Sequence, residues 1–319
     1  MVMALRRILL AALLLLAGCA APDPVDLPGL RVMVPNPPGS GYDFTARAMA
    51  RALGDSGVLP DVEVFNLPGG SGTTGLHRLV YESGNGTLMM LMGLGLVGAE
   101  YTSGSALGLS RTTPIARLVS EPGIIVVRGD SAYADMGDLV DAWRRDPATV
   151  PVGGGSSPGG PDHLAPMLVA EKIGIAPGDV QYHRYDGGGD LLAAILSGEV
   201  AFGVSGVGEY ADQIRSGQLR ILASTGEKTS AGAPTLRECG IDVVFENWRG
   251  IVAPPGLAPE QTALLTETVR RLHESPQWAA ALERYGWRDA YLEGPAFGEY
   301  IAAESARMAD TLGRMGLGR

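Results

Sequence analysis

The chain reads as an α/β protein, and three observations carry that reading. Short apolar runs of strand length alternate with stretches of helical period. The glycines and prolines, 46 and 22 in number, gather between those runs rather than within them. The run Thr87 to Met92 is continuously apolar, as in strands covered on both faces.

Taken in order, Leu30 to Val34 is a short strand followed by a Pro/Gly loop. Asp43 to Leu53 then places Phe44, Ala48 and Leu53 at helical spacing, with Arg47 and Arg51 on the polar side. Val62 to Phe65 is a strand, a second Gly-rich loop follows, and Thr74 to Tyr81 is a helix. Ile124 to Val127 opens a new section. In it Met136 to Arg144, Asp162 to Ile173, Leu191 to Leu196 and Glu209 to Ser216 read as helices. The intervening strands are Val150 to Val152, Val180 to Tyr185, Val200 to Val204 and Leu219 to Ala223. A third section starts near Trp248, with a strand Gly250 to Ala253 and helices 259–274, 278–285 and 295–312. Pro259, Pro276 and Pro295 fall at or near the starts of those helices, where a missing N–H costs nothing.

The first residues read differently from the rest. Arg6 and Arg7 precede an apolar run from Ile8 to Ala17, too short to span a bilayer and suited to a signal-peptide core. Leu16-Ala17-Gly18-Cys19 resembles the bacterial lipobox, in which the Cys is acylated and becomes the new N-terminus. The expected organisation is a signal peptide at 1–18, with Cys19 as the lipidation site and a lipidated tether at 19–27. Lipid on Cys19 leaves Cys239 without a disulfide partner, and it reads as a small buried hydrophobe.

The net charge is −10. Removal of 1–18, which carries two Arg and no acid, makes it −12. So acidic a body argues against a nucleic-acid partner. The four His are scattered and no carboxylates have ligand spacing, so neither a metal nor a cofactor is expected.

One element occurs three times: a strand, a long Gly-rich loop, then a helix. The loops are Pro35–Asp43, Leu67–Gly75 and Gly153–Asp162. Such a loop offers free backbone N–H groups and a helix dipole to an anion. In α/β sheets it lies at the carboxyl ends of the strands, where ligands bind. In the first loop, Asp43 suits a helix cap and Tyr42 suits a cover over the ligand. In the third, two hydroxyls converge with several N–H groups, and His163 is placed to donate to a bound carboxylate. Trp248 is placed either in the core or along a cleft.

Two enzyme patterns also appear. Gly155-Ser156-Ser157-Pro158-Gly159 matches the nucleophile elbow G-x-S-x-G. The residue after Ser157 must supply an oxyanion N–H, and Pro158 has none. Gly70-x-Gly72-x-x-Gly75 matches a dinucleotide fingerprint, yet the next strand ends in Leu91-Met92-Gly93 without the ribose-binding acid.

The ordered set of motifs resembles the extracytoplasmic receptors of tripartite tricarboxylate transporters, the Bug or TctC-like family. Val34 to Asp43, with Thr45-Ala46-Arg47, is similar to the family's first ligand loop and helix start. Asn66 to Gly72 is similar to its N-x-P-G-x-x-G loop, Gly154 to Leu164 to its second ligand loop, and Tyr185 to Gly189 to its aromatic-x-G-G motif. Gly198-Glu199-Val200, Ser205-Gly206, Gly217 to Ala223, Ala233 to Gly240 and Trp248-Arg249-Gly250 continue the order. Ser40 and Pro158 depart from the pattern.

The resemblance implies a two-lobed periplasmic-binding-protein fold, type II-like, each lobe a mixed, mainly parallel sheet flanked by helices. Lobe 1 is expected at 28–122 plus 248–319, and lobe 2 at 123–247. It implies a small di- or tricarboxylate held by Pro38, Gly39, Ser40, Gly41, Tyr42, Asp43 and Gly93 from one lobe. The other lobe is expected to contribute Ser156, Ser157, Gly159, Gly160, Asp162, His163, Ser205 and Gly206. The aromatic before Asp43, with Asp162-His163-Leu164 and Ser205 to Tyr210, looks most like citrate-type receptors. The implied partners are membrane transporter subunits, and the implied state is a lipid-anchored, extracytoplasmic monomer that is not an enzyme. An exported serine hydrolase using Ser157 and a carboxylate sensor of the same fold are the competing readings.

Overall fold

The structure, a computed structural model, describes residues 25–103, 107–185 and 187–317. The expected signal segment and Cys19 lie outside the described residues. Val25 and Leu27 are buried, and the Val25 N–H donates to the Val58 carbonyl at 2.8 Å.

The first lobe opens with β1 (Arg31–Val34), α1 (Gly41–Asp55), β2 (Glu63–Asn66), α2 (Thr73–Tyr81), β3 (Leu88–Gly93) and α3 (Leu94–Ser103). A long strand, β4 (Thr113–Arg128), leads to the second lobe. That lobe holds α4 (Met136–Arg145), β5 (Val152–Gly154), α5 (Pro161–Lys172) and β6 (Tyr182–Arg184). It continues with α6 (Gly188–Ser197), β7 (Phe202–Gly206), α7 (Ala211–Arg215) and β8 (Leu219–Ser224). The chain returns through β9 (Glu246–Ala253) to α8 (Pro259–His273), α9 (Pro276–Tyr285), β10 (Arg288–Glu293) and α10 (Gly294–Arg314).

The strands run β2-β1-β3-β9-β4-β7-β5-β6, with β10 and β8 also pairing β4. Strands β2, β1 and β3 are mutually parallel, as are β6, β5 and β7. Every antiparallel pairing of the named strands involves β4 or β9, and β4 is the strand that passes from one sheet into the other. Strand β4 changes partners at one point. Its residues through Pro122 pair with β9, and from Gly123 they pair with β7. A proline and a glycine at that point let the strand turn from one sheet into the next.

Local chemistry sets the helix starts. Ser40 Oγ caps α1 by accepting the Asp43 N–H at 3.3 Å. Asp135 Oδ1 caps α4 by accepting from Asp138 N–H at 3.0 Å. Ser275 caps α9, whose first residue is Pro276. Strand β3 is buried along its whole length, as a strand with helices on both faces must be. One cluster of buried side chains joins Met33 and Leu76 of the first lobe with Val152 and Phe202 of the second, so the lobes share an apolar core at the waist. Trp248 belongs to that core: its indole N–H donates to Glu304 Oε2 at 2.9 Å, and its ring meets Phe297 and Tyr300 edge-on. Among the described residues no helix is long and apolar enough to cross a membrane.

Three elements escape the reading of the sequence. Strand β4 carries Pro114 and Pro122, which argue against a strand; the register shifts between Pro114 and Ala116, and Pro122 stands where the strand changes partner. Helix α3 contains Gly95 and Gly98 and has almost no amphipathic pattern. Strand β10 pairs with β4 alone among the described strands, and it exposes Asp289 and Glu293 with no clear alternation.

Candidate functional site

Each of the three Gly-rich loops opens a helix, and all three converge on one cavity of about 340 Å³ between the lobes. From the first lobe come the Asn36–Tyr42 loop at the start of α1 and the Pro68–Gly72 loop before α2. From the second come Gly155–Ser157 and Gly160–Asp162 at the start of α5, and Gly187-Gly188 at the start of α6. The floor is Glu121, Pro122 and Gly123 of β4, Ser205 and Gly206 of β7, and Asn247 and Arg249 of β9. The cavity therefore sits over the point where β4 passes from one sheet to the other.

The loops are held from behind. Asp43 is buried and accepts from the Gly39 N–H at 2.9 Å, Arg47 Nε at 2.9 Å and Asn66 Nδ2 at 2.9 Å. Burial works against its charge, but these bonds outweigh burial and hold the carboxyl below its usual range. Its role is to brace the first loop and tie it to the second. In the second loop Ser71 adopts φ 58, a left-handed conformation rare for a residue with a side chain. There its hydroxyl meets Ser157 Oγ of the opposite lobe at 2.7 Å. In the third loop Ser156 Oγ accepts from the Asp162 N–H at 3.0 Å, and Tyr182 donates to the Ser156 carbonyl at 2.7 Å.

The lobes touch. A Cβ on Gly98 of α3 would lie 2.1 Å from the Gly159 carbonyl oxygen, so only glycine lets the two backbones approach this closely. With the Ser71–Ser157 contact, this is a closed cleft.

Of the residues expected from the sequence, Ser40, Gly41, Tyr42, Ser156, Ser157, Gly160, Asp162, Ser205 and Gly206 line the cavity. Six do not. Pro38 and Gly39 are exposed on the outer turn of the first loop. Asp43 faces inward as the brace just described. Gly93 lies under Tyr42, where a Cβ would come within 3.1 Å of its hydroxyl and 2.3 Å of the Trp248 carbonyl. Gly159 makes the contact with Gly98. His163 is buried; its Nδ1 accepts from the Gly159 N–H at 3.3 Å and its ring stands edge-on to Tyr182. Burial lowers its pKa to about 4, so it is neutral. Tyr42 receives the Leu96 N–H at 3.2 Å, and burial pushes its hydroxyl up to about 12.

Several residues of the site were not expected as ligand contacts, although Tyr185, Glu209 and Arg249 fall within the motifs noted in the sequence. Arg249, buried in β9, forms an ion pair with Glu121, also buried, and its Nη1 donates to Thr45 at 3.3 Å. Its Nε has no hydrogen-bond partner among the described residues. The guanidinium backs the first loop: a Cβ on Gly41 would sit 2.6 Å from Nη2. Asp162 and Glu209 add two more carboxyls beside this pair. Burial, then Glu209 and Glu121, hold Asp162 well above the usual carboxylate range. Burial, then Glu121, push Glu209 up to about 7. Arg184 and Tyr185 complete the lining.

The elbow around Ser157 lacks the geometry of a nucleophile. The Ser157 hydroxyl meets Ser71, Pro158 follows it, and no His is among the cavity-lining residues. The dinucleotide pattern is accounted for by packing, since Gly75 lies against Pro35, where a Cβ would approach to 2.8 Å. Among the described residues no group of His, Cys, Asp and Glu is arranged to hold a metal.

A family model described as the tripartite tricarboxylate transporter family receptor, TctC, matches residues 99–317. The chain belongs to that family. Protein BugT of Bordetella pertussis is 27% identical over 292 residues, which is 86% of this chain and 85% of BugT. Among solved structures, a TctC solute-binding protein from Polaromonas is 27% identical, with a TM-score of 0.66, covering 89% of this chain and 98% of the other. A Rhodopseudomonas palustris protein solved with adipate has a TM-score of 0.82 at 21% identity, covering 92% and 99%. That last likeness concerns the fold alone, which is the two-lobed periplasmic-binding architecture. The cleft of this TctC-family chain lies where the lobes meet.

Proposed function

We propose that this receptor captures a small di- or tricarboxylate in the cleft, closes on it, and delivers it to membrane transporter subunits outside the cytoplasm. The observation that carries the reading is the meeting of helix-opening Gly-rich loops from both lobes across one cavity. Backbone N–H groups at helix starts suit a carboxylate. Loops from both sides suit a ligand with a carboxylate at each end. The cavity, about 340 Å³, lies at the small end of ligand sites, which fits an acid of citrate size or less. The adipate-bound relative supports the class.

The mechanism is physical. The ligand stabilises the closed state by its greater affinity for it, and contacts such as Ser71 with Ser157 form only when the lobes meet. Lipid at Cys19 would hold the receptor beside its membrane partners, and it acts as a monomer without cofactor or metal. Binding rather than hydrolysis is favoured because Ser157 meets Ser71 and is followed by Pro158.

Thermal denaturation with citrate, tricarballylate, succinate, malate, adipate and aspartate tests this. A true ligand at a hundredfold excess over Kd adds about 2.7 kcal/mol of stability, a rise of several degrees in Tm. No rise with any of these acids would overturn the proposal.

A further inference from the structure

The cleft of an anion receptor carries acids of its own, and one of them occupies the place an anion should take. The Glu209 carboxyl lies between two helix starts. A Cβ on Gly41, the first residue of α1, would be 3.4 Å from Oε1. A Cβ on Gly188, the first residue of α6, would be 2.2 Å from Oε2. Ser205 of β7 hydrogen-bonds to the same carboxyl, and the residue is partly open to the cavity.

The groups around it are mostly acidic. Strand β4 presents Glu121, α5 presents Asp162, and β9 presents Arg249. Helix α1 presents Gly41 and, on the same cavity wall, Tyr42, whose hydroxyl burial pushes up to about 12; α6 presents Gly188, and the neighbouring Tyr210 donates its hydroxyl to the Gly188 carbonyl at 2.9 Å. Arg184 lies on the cavity wall. The one arginine beside Glu209 is already paired with Glu121. A ligand dianion entering here meets Glu209 and Asp162 with no second cation beside them but Arg184. Arg249 Nε is buried and has no partner among the described residues, and burial with Glu121 close by raises the proton affinity of Glu209.

We propose that Glu209 determines what the cleft accepts: a dicarboxylate binds together with one proton, which sits on Glu209 and is donated in a hydrogen bond to a ligand carboxylate. The proton comes from solvent on binding and returns to it on release. This rests on the carboxylate-receptor reading and adds that capture is coupled to pH. The position of Glu209 between two helix starts supports it, and its proton affinity near neutrality makes the coupling effective in the working range.

Malate and adipate serve as probes, titrated by calorimetry from about pH 6.5 to about pH 8.5, where both remain dianions. For the wild type, Kd rises with a slope that approaches tenfold per pH unit above about 7, and titrations in two buffers of different ionisation enthalpy show proton uptake that grows from a fraction at the lower end of the range to about one at the upper end. In Glu209→Gln the slope and the proton uptake disappear. Binding by the wild type that is flat with pH and takes up no proton would overturn the proposal. So would tighter, pH-independent binding of aspartate, whose ammonium would pair with an ionised Glu209. Carbon-13 NMR of the ligand-free receptor separates this from failure of the receptor reading. A side-chain carboxyl signal that titrates near neutrality and is missing in Glu209→Gln upholds the Glu209 assignment even if neither acid binds. Titration in the ordinary carboxylate range overturns it.

Discussion

Replacing Arg249 with Met is expected to lower the stability of the ligand-free receptor by about 3–5 kcal/mol, because it leaves Glu121 buried without its cation. The loss is larger than the bond itself contributes, since the penalty is mainly that of an uncompensated buried charge. At roughly 2–4 °C per kcal/mol, Tm should fall by roughly 10 °C, readable by calorimetry. The double variant Arg249→Met with Glu121→Gln should recover a large part of the fall, because the stranded charge goes with its partner. The recovered protein should still bind carboxylates poorly. The guanidinium lies directly behind Gly41, so its removal withdraws support from the first loop as well as a donor from the cavity. An Arg249→Met protein as stable as the wild type would show that the pair is not buried as described.

Replacing Gly98 with Ala is expected to weaken carboxylate binding on the order of 100-fold while leaving ligand-free stability unchanged or slightly raised. Alanine suits a helix interior better than glycine, so α3 itself gains. The added methyl, however, falls within 2.1 Å of the Gly159 carbonyl oxygen and 2.6 Å of its carbon, which are backbone atoms that cannot swing away. The closed contact is therefore the state that suffers. A ligand that favours closure must then work against a raised closed state, and its apparent affinity falls by that cost. Small-angle scattering should show the variant staying extended in saturating ligand while the wild type contracts. Equal affinity in both would show that this contact is not part of the bound state.

Sequence and structure agree most closely at the loops. Pro37-Pro38-Gly39-Ser40-Gly41, Gly69 to Gly72 and Gly153 to Gly160 are punctuation that needs no alignment to read: glycine and proline interrupt the apolar rhythm, and a helix pattern follows at once. That local signal located the three walls of the cavity and the helix starts. It did not distinguish residues that face the cavity from those that brace it. Asp43, Gly93, Gly159 and His163 carry the right chemistry beside the right loop, yet each turns toward protein rather than the cavity. Which way a side chain turns depends on what lies behind it, here Asn66, Trp248, Gly98 and Tyr182, all distant in sequence.

The charged floor was the least legible part. Arg249 and Glu121 are 128 positions apart and meet only because β9 pairs with β4 up to the waist. Arg249 stands just before the apolar run Gly250 to Ala253, outside the strand read from the sequence, and Glu121 precedes a proline that argues against a strand. Periodicity reports which face is buried, and it is silent on a charge that is buried because its partner arrives from elsewhere. Glu209 is similar: it reads as the first residue of a helix, and only the approach of α1 and α6 gives its carboxyl a role.

Calorimetric titration of the intact receptor with a di- or tricarboxylate chosen from the thermal panel tests the central claim most directly. Saturable binding with one ligand per chain is expected, weakened by Gly98→Ala and accompanied by contraction of the molecule. Heat from none of the acids, or binding that Gly98→Ala leaves untouched, would contradict capture in a cleft that closes.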